Sequence, residues 1–463
     1  MNSPFNEQKY KDLLEGLEVS EVMLSASIGN KDFRMDSDFW TKQPKKNPQL
    51  KYLKIGNILR SSQYGISVSM NEDNKGYPIY RMNEIHNMLC DLSVDKCAEM
   101  PISEFQKFEL KNRDVLFNRT NSFEWVGRTG VYYQNDEIQK TFASYLVRFN
   151  PDENIILPEY LATFLNSKQG VWDIKRRARQ SINQTNVNPE EVKEIEIPIL
   201  PMDFQKEIRN RFEKANKNRI LSQSLYRQAE ELLLEAIGLK DFKPSETGTN
   251  IKSFKESFLA TGRLDAEYYQ VKYEEIENLI KSQKHSYVYE EFNLSKNIID
   301  YKSPEYNYIE IGDINVGNGA YDYNLISTSE LPDNAKLKTK KGDLLISKVR
   351  PNRGAISIIQ DDIPNLVVSG AFTVLEQKTD YKKEVLFVLL RLAQYREWML
   401  KYNVGTSYPV IKDEDVLNLA IPLINEKIQQ QISELIEESF YLRGESERLL
   451  GEAKDVVERE IEN

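Results

Sequence analysis

The feature that most constrains this chain is that it repeats itself. RMDSDFW at residues 34–40 returns as RLDAEYY at 263–269: basic, apolar, Asp, small, acidic and two aromatics in one order. YLKIGNIL (52–59) is matched by YIEIGDIN (308–315), and NRDVLFNRT (112–120) by KGDLLISKV (341–349). EVKEIEIPILPMDFQKEI (191–208) is matched by DVLNLAIPLINEKIQQQI (415–432). Asp36 to Asp265 and Asp114 to Asp343 share one offset; Pro198 to Pro422 and Gln205 to Gln429 share a slightly smaller one. Ordered matches with a small drift describe a duplication, so one structural plan is used twice.

Each half carries short runs with the alternation and β-branched or aromatic content of strands: DVLFNR, TGVYY and SYLVRF, then DLLIS, AISII and AFTVL. Gly127, Gly130, Gly342 and Gly354 punctuate them as turns. One helical stretch follows in each half, PEYLATFLNSKQGVWDIKRRA and KEVLFVLLRLAQYREWMLKY. After Pro198 and Pro422 the texture changes. Residues 202–237 hold no Gly or Pro. There Ile208, Phe212, Ala215, Leu221, Leu225, Ala229, Leu232, Leu233 and Ala236 recur mostly every three or four positions, which predicts an amphipathic helix. Asp203 is placed to cap it and Gly238 to end it. From Glu426 onward a second stripe runs through Ile428, Ile432, Leu435, Ile436, Ser439, Leu442, Leu449, Ala453, Val456 and Val457. Gly444 and Gly451 interrupt it at a cost of ~1 kcal/mol each. Two stripes of matching length predict mutual burial as an antiparallel coiled coil; the alternative is that each helix packs on its own domain. About 36 residues make a rod of ~54 Å, which at ~3.4 Å per base pair spans on the order of 16 base pairs.

The predicted fold is α+β: two similar mixed α/β domains joined by two long antiparallel helices, with a pseudo-twofold internal repeat. The domains are placed at 1–200 and 241–425 and the helices at 201–240 and 426–463. Composition narrows the chemistry. Only two cysteines, Cys90 and Cys97, and two histidines, His86 and His285, are present. That count excludes a disulfide framework, argues against a His-based hydrolase and falls short of the four ligands of a structural zinc site near His86. No apolar run approaches the ~20 residues of a membrane span, and the first residues lack the pattern of a signal peptide, so a cytoplasmic protein is expected. The net charge of −10 opposes nucleic-acid binding at first sight. The charge is segregated, however: Glu gathers after Glu426, Lys and Arg between Lys168 and Arg179. Phosphates respond to the local field within ~8–10 Å.

The combination resembles the specificity subunit of Type I restriction-modification systems. The resemblance rests on RMDSDFW and RLDAEYY, on DVLFNRTNS followed by GRTGVY, on SINQTNVNPEEVKEIEIPIL, and on the Pro-to-Gln entry into each helix. It covers nearly the whole chain and is weaker in the second half, where LLISKVRPNRGAI and SYPVIKDEDV stand in for the motifs. It implies two target-recognition domains, each reading one half of a split site on double-stranded DNA, with the helices fixing the gap. It implies partners: two modification subunits carrying S-adenosylmethionine, and restriction/translocase subunits using ATP and Mg. Neither a GxxxxGK[ST] nor an NPPY-like motif occurs, so the chain is expected to be non-catalytic and to hold no cofactor itself. A split-target Type II subunit and a non-DNA coiled-coil scaffold are the alternatives.

Base edges and phosphates are met by Arg, Lys, Asn, Gln, Ser and Thr on exposed loops. Asn118, Arg119, Thr120, Asn121 and Ser122 supply five in succession after a strand, with Arg128 close behind; the alternative is a structural turn. Gln180, Ser181, Asn183, Gln184, Thr185 and Asn186 form a second group, and Lys175, Arg176, Arg177 and Arg179 a basic run beside it. In the repeat their places fall to Ser347, Lys348, Arg350 and Arg353, and to Thr406, Ser407 and Tyr408. Specificity is expected in the loops 61–77 and 315–333.

Overall fold

The computed structural model describes residues 7–17, 19–29, 33–182, 184–245, 247–405 and 407–462. Contacts divide the chain into two compact units. One is the chain up to Ile220 together with the stretch from Leu442; the other is Leu221–Tyr441. Each unit therefore takes a share of both long helices.

In the first unit, strand Tyr52–Lys54 pairs antiparallel with Glu196–Pro198 and closes the domain on itself. The main sheet has six strands in the order Leu59–Tyr64, Leu146–Pro151, Val115–Asn118, Thr129–Val131, Leu89–Cys90, Ile85–His86. A smaller sheet sets Tyr77–Tyr80 parallel to Thr141–Phe142. Val115, Phe117, Val147 and Phe149 of the main sheet form one core with Tyr160, Leu161, Phe164 and Leu165 of helix Pro158–Asn166. Ile208, Phe212 and Ala215 of the first long helix and Leu449, Ala453 and Val457 of the second complete it.

The second unit follows the same plan. His285–Tyr287 pairs with Ala420–Pro422. The main sheet runs Phe292–Leu294, Phe372–Gln377, Leu344–Ser347, Ile356–Ile358. In the other sheet, Glu305–Ile309 lies parallel to Leu366–Ser369. Its large core joins Leu344 and Ile346 to helix Lys383–Arg391, to Ala229, Leu233 and Ile237, and to Ile432 and Ile436. The fold is thus α+β and built twice. One sequence match fails. The structural counterpart of 52–59 is 285–292, because Ile55 N–H donates to the Ile195 carbonyl as Val288 N–H does to the Leu419 carbonyl. YIEIGDIN belongs instead to the second sheet, where its strand plays the part of Tyr77–Tyr80. A strand entering a tight turn produces the same Tyr-x-x-Ile-Gly string in two different places.

The remaining repeated residues have repeated tasks. Asp114 accepts from Lys111 N–H (2.8 Å) and Asp343 from Lys340 N–H (2.9 Å), each closing the turn into a central strand. That turn needs a left-handed residue: Gly342 has φ +92°, and Arg113 has φ +70°. Arg113 also makes a two-point ion pair with buried Glu159, 2.8 Å at each contact. Gln205 Oε1 accepts from Leu157 N–H (2.8 Å) and Gln429 Oε1 from Lys382 N–H (3.1 Å), so each long helix satisfies the orphan start of the helix packed on it. Arg34 forks onto Asp36 and donates to the carbonyls of Arg176 and Arg177 (3.3 Å each), at the C-terminal end of helix Lys168–Arg177. Arg263 forks onto Asp265 and reaches the Asn403 carbonyl at 3.0 Å. A cation at such an end meets the negative pole of the helix.

The long helices run Met202–Ala236 and Glu426–Glu462. Asp203 lies inside the first turn rather than capping it, and pairs with Lys206 at 3.0 Å. Gly238, φ +69°, ends the first helix: its N–H donates to the Glu235 carbonyl and that of Leu239 to the Leu234 carbonyl, a Schellman closure. The inward stripe differs at mid-helix from the one expected. Leu221 is exposed, and Ser222 is buried against Ser439, each hydroxyl donating to the other residue's carbonyl at 2.7 and 2.8 Å. In the first unit Ser446 Oγ donates to the Ala215 carbonyl at 2.9 Å. No helix among the described residues is long and apolar enough to cross a membrane.

Candidate nucleic-acid interface

In the first unit two of the predicted groups meet. Strand Thr120–Asn121 pairs with Thr185–Asn186, which pairs with Arg179–Gln180, making a small three-stranded sheet. The hairpin turn is tied by Ser181, whose N–H and Oγ both donate to the Gln184 carbonyl. Asn121, Ser122, Arg179, Gln180, Ser181 and Gln184 reach the surface there. Asn183 lies outside the described residues, as does Thr406.

Several of the predicted DNA-facing residues are removed from any interface. Asn118 is 0% exposed; its amide donates to the Met82 carbonyl and its Oδ1 accepts from Thr120 N–H. Thr120 is buried, with its hydroxyl on Asn186 Oδ1 (2.6 Å), so these two satisfy each other. Arg119 lies half-buried with its guanidinium carbon 5.2 Å from the Tyr64 ring centroid. The basic run is largely internal. Arg177 is buried between Asp173 and Glu191, 3.1 Å from each. Arg176 pairs with Asp173, donates to the Phe39 carbonyl and lies over the Phe39 ring. Lys175 donates to the carbonyls of Phe123, Glu124 and Val126, and burial pushes its ammonium down to about 8. It staples the loop after Ser122 rather than facing solvent. Helix Pro189–Lys193 is capped by Asn188, whose side chain accepts from Glu190 N–H.

That stapled loop sets two aromatics that sequence reasoning passes over beside the expected Arg128. Phe123 and Trp125 are exposed, and Arg128 lies with its guanidinium carbon 3.3 Å from the Trp125 ring centroid. At the neighbouring hairpin tip Ile182 is fully exposed. The readable signal is two aromatics within an otherwise polar loop, TNSFEWVGR.

The second unit brings the equivalent segments together with different chemistry. Val349 bridges Val410 as Thr120 pairs with Asn186, and Ile411 N–H donates to the Lys348 carbonyl as Val187 N–H does to that of Arg119. Arg350 therefore stands where Asn121 does, and Tyr408 where Gln184 does. Ser347 is 1% exposed, with its hydroxyl on the Val349 carbonyl; Lys348 pairs with Asp413 at 3.0 Å. Neither is free for a ligand. Arg350, Arg353, Ser407 and Tyr408 are exposed. Neither Arg350 nor Arg353 has a carboxylate partner among the described residues. Arg350 holds φ +50°, ψ +55°, costly for a residue with a Cβ, and lies 5.5 Å from the Tyr408 ring centroid. With Tyr408 the two arginines rim a groove of about 430 Å³ floored by Ile311, Ile314, Val316, Val349 and Ala355. The loop 315–333 enters this groove at Val316, whereas residues 61–64 of the other expected loop belong to a main-sheet strand. Cys90 and Cys97 are buried thiols, and His86 Nδ1 lies 2.9 Å from Asp91.

A family model described as the type I restriction modification DNA specificity domain matches residues 44–231 and 288–445, well over half the chain. A Methanocaldococcus jannaschii protein, provisionally named the MjaX specificity subunit of a type I restriction enzyme, is 28% identical over 155 residues, 33% of this chain and 36% of that protein. The type I restriction enzyme HindI specificity subunit of Haemophilus influenzae is 30% identical over 151 residues, 31% of this chain and 33% of that protein. The chain spans about a third of the length of the curated relatives it matches. Among solved structures, a type I restriction-modification S subunit from M. genitalium is 14% identical with a TM-score of 0.43, covering 90% of this chain and 98% of that one.

Proposed function

Since the chain belongs to the type I restriction modification DNA specificity family, we propose that it reads a split, asymmetric site on double-stranded DNA, one half-site per unit, and directs partner subunits to it. The reading domains are 1–200 and 241–425; the helices 201–240 and 426–463 pair as an antiparallel coiled coil and set the gap. The chain is non-catalytic. Two modification subunits bring S-adenosylmethionine, and restriction/translocase subunits bring ATP and Mg.

One observation carries this reading. The same two chain segments meet in both units, and both times they present polar or cationic side chains: Asn121, paired with Thr185 next to exposed Gln184 in the chain, and Arg350, 5.5 Å from the Tyr408 ring centroid. Asn and Gln match adenine edges bidentately, whereas Arg matches guanine edges or phosphate. An acidic total charge is compatible with this, because Arg176 and Arg177 of the first unit are neutralised internally while Arg350 and Arg353 are not. The helix pairing draws support from two contacts, Ala215 with Ser446 and Ser222 with Ser439.

Methylome sequencing of cells with and without the gene tests the main claim. A bipartite motif that vanishes with the gene is expected; a contiguous motif, or none, overturns the reading. Inserting one heptad after Ser222 and one before Ser439 lengthens the rod by ~10 Å. The gap then grows by about three base pairs with the half-sites unchanged. Altered half-sites across an unaltered gap defeat the ruler.

A further inference from the structure

Behind the groove of the second unit lies a buried cation that nothing above uses. Arg391 ends helix Lys383–Arg391 and is 8% exposed. Its guanidinium is spent on four oxygens from three places. Nε donates to the Tyr226 hydroxyl on the first long helix at 2.9 Å. Nη1 donates to the carbonyls of Gly354 (3.1 Å) and Ile356 (3.4 Å), and Nη2 to that of Val316 (3.0 Å). Val316 and Ala355 are apolar walls of the groove, and Arg353 is on its rim. No carboxylate lies within ion-pairing distance of Arg391 among the described residues.

Glu230, one turn beyond Tyr226 on the same helix, feels this charge without touching it. A buried charge with no carboxylate in direct contact is a poor route to stability, since an apolar side chain of similar size packs there without desolvation cost. What a guanidinium supplies is a rigid planar fork with five donors at fixed angles. Here the fork sets two loops at a fixed separation and ties both to the long helix. The neighbouring contacts serve the same end. Phe387 stands edge-on to Tyr226 of one long helix and to Phe440 of the other. Its ring also presses on Gly319, where a Cβ would come within 2.7 Å of it. Ser357 Oγ donates to the Gly319 carbonyl at 2.8 Å.

The first unit has the reduced form of this device. Thr129 pairs with Phe117 as Ile356 pairs with Ile346, so Thr129 and Ile356 are equivalent. Asn166, the last residue of the equivalent helix, donates to the Thr129 carbonyl at 2.8 Å. One short amide there reaches one carbonyl of the strand; Arg391 reaches three carbonyls and a helix hydroxyl.

We propose that Arg391 is a positioning residue for base reading in the second unit: it fixes the groove walls that carry Val316 and Arg353 against Tyr226, so that discrimination in one half-site depends on it and in the other does not. This rests on the DNA-reading proposal above. The test is equilibrium binding of the full chain, with Arg391→Lys, Arg391→Met and Tyr226→Phe, to duplexes carrying the methylome-defined target. Base pairs of each half-site are changed one at a time, and thermal midpoints are measured in parallel. Arg391→Lys keeps the charge and loses the fork. It is expected to keep the fold and the salt dependence while lowering second-half-site discrimination about tenfold, within the range one base pair carries. First-half-site discrimination stays as in the parent, and Tyr226→Phe has a smaller effect of the same kind. If Arg391→Met does not fold, the other two variants still decide. A merely structural role lowers the midpoint and weakens binding to all sequences alike with the ratios unchanged; that result overturns the proposal, as do unchanged ratios in a stable protein. A parent chain that does not discriminate second-half-site bases at all overturns the DNA reading, and this inference with it.

Discussion

The two units share a framework and differ in what they do with positive charge. In the first, Arg177 is buried between Asp173 and Glu191, half-buried Arg176 pairs with Asp173, Lys175 is bound by three carbonyls, and a hairpin sheet forms the surface. In the second, a single bridge at Val349–Val410 replaces that sheet, and Arg350 and Arg353 stand exposed around an apolar groove. A duplicated scaffold thus holds its turns, caps and helix anchors constant, while the side chains at the meeting point of two segments change class. On the proposed function, the halves of the site are read by different chemistry: mainly amide and hydroxyl hydrogen bonding beside Arg179 and an aromatic loop in one unit, two arginines around an apolar groove in the other.

The largest effect that tests this contrast is on stability. Arg177→Met leaves Glu191 buried without its cation, and Asp173 with Arg176 alone, and is expected to destabilise the first unit by about 3–5 kcal/mol. Arg353→Ala is expected to leave the second unit's melting unchanged. Thermal denaturation compares them; a stable Arg177→Met protein with weakened DNA binding reverses the assignment.

A smaller effect appears in salt titrations of binding. Replacing Arg350 and Arg353 together with alanine should flatten the logarithmic salt slope by about 1.8, because each phosphate neutralised by an arginine accounts for roughly 0.9 of it. Replacing Asn121 and Gln184 should leave the slope as it is and reduce base discrimination by about 1–3 kcal/mol for each side chain. Equal slope changes in both pairs erase the distinction between the units.

The smallest effect concerns the helices. Gly444 and Gly451 lie in the first unit's share of the second long helix, where an added Cβ meets nothing within 4 Å. Alanine at each should raise that unit's stability by about 1 kcal/mol, read as a shift in its melting alone. A shift in both units shows that they melt together.

Much of the framework is legible in the sequence because its residues act locally. Asp114 and Asp343 bond a backbone three residues away, and Gln205 and Gln429 stand at fixed steps from a proline strand, so spacing alone exposes them. The misreadings have more than one cause. Arg176 and Arg177 look like a phosphate patch because Glu191 and Phe39 are remote in sequence, although Asp173, one helical turn back, is a readable warning. Leu221 reads as part of the inner stripe because hydropathy favours leucine over serine, yet close approach of two helices favours the small hydroxyl residue that bonds across. Asn118 and Ser347 look available because polarity suggests exposure; each instead bonds backbone inside the fold.

The partition of the chain has a consequence for inheritance. Residues 221–441 form one uninterrupted segment, while the other unit is assembled from what lies on either side. A stretch of gene bounded near Ile220 and Tyr441 therefore encodes an entire compact unit with its own share of both helices. The seams fall within a turn of the Ser222–Ser439 pair, where the facing side chains are small. On the proposed function, two crossovers at those points would exchange one half-site and keep the other.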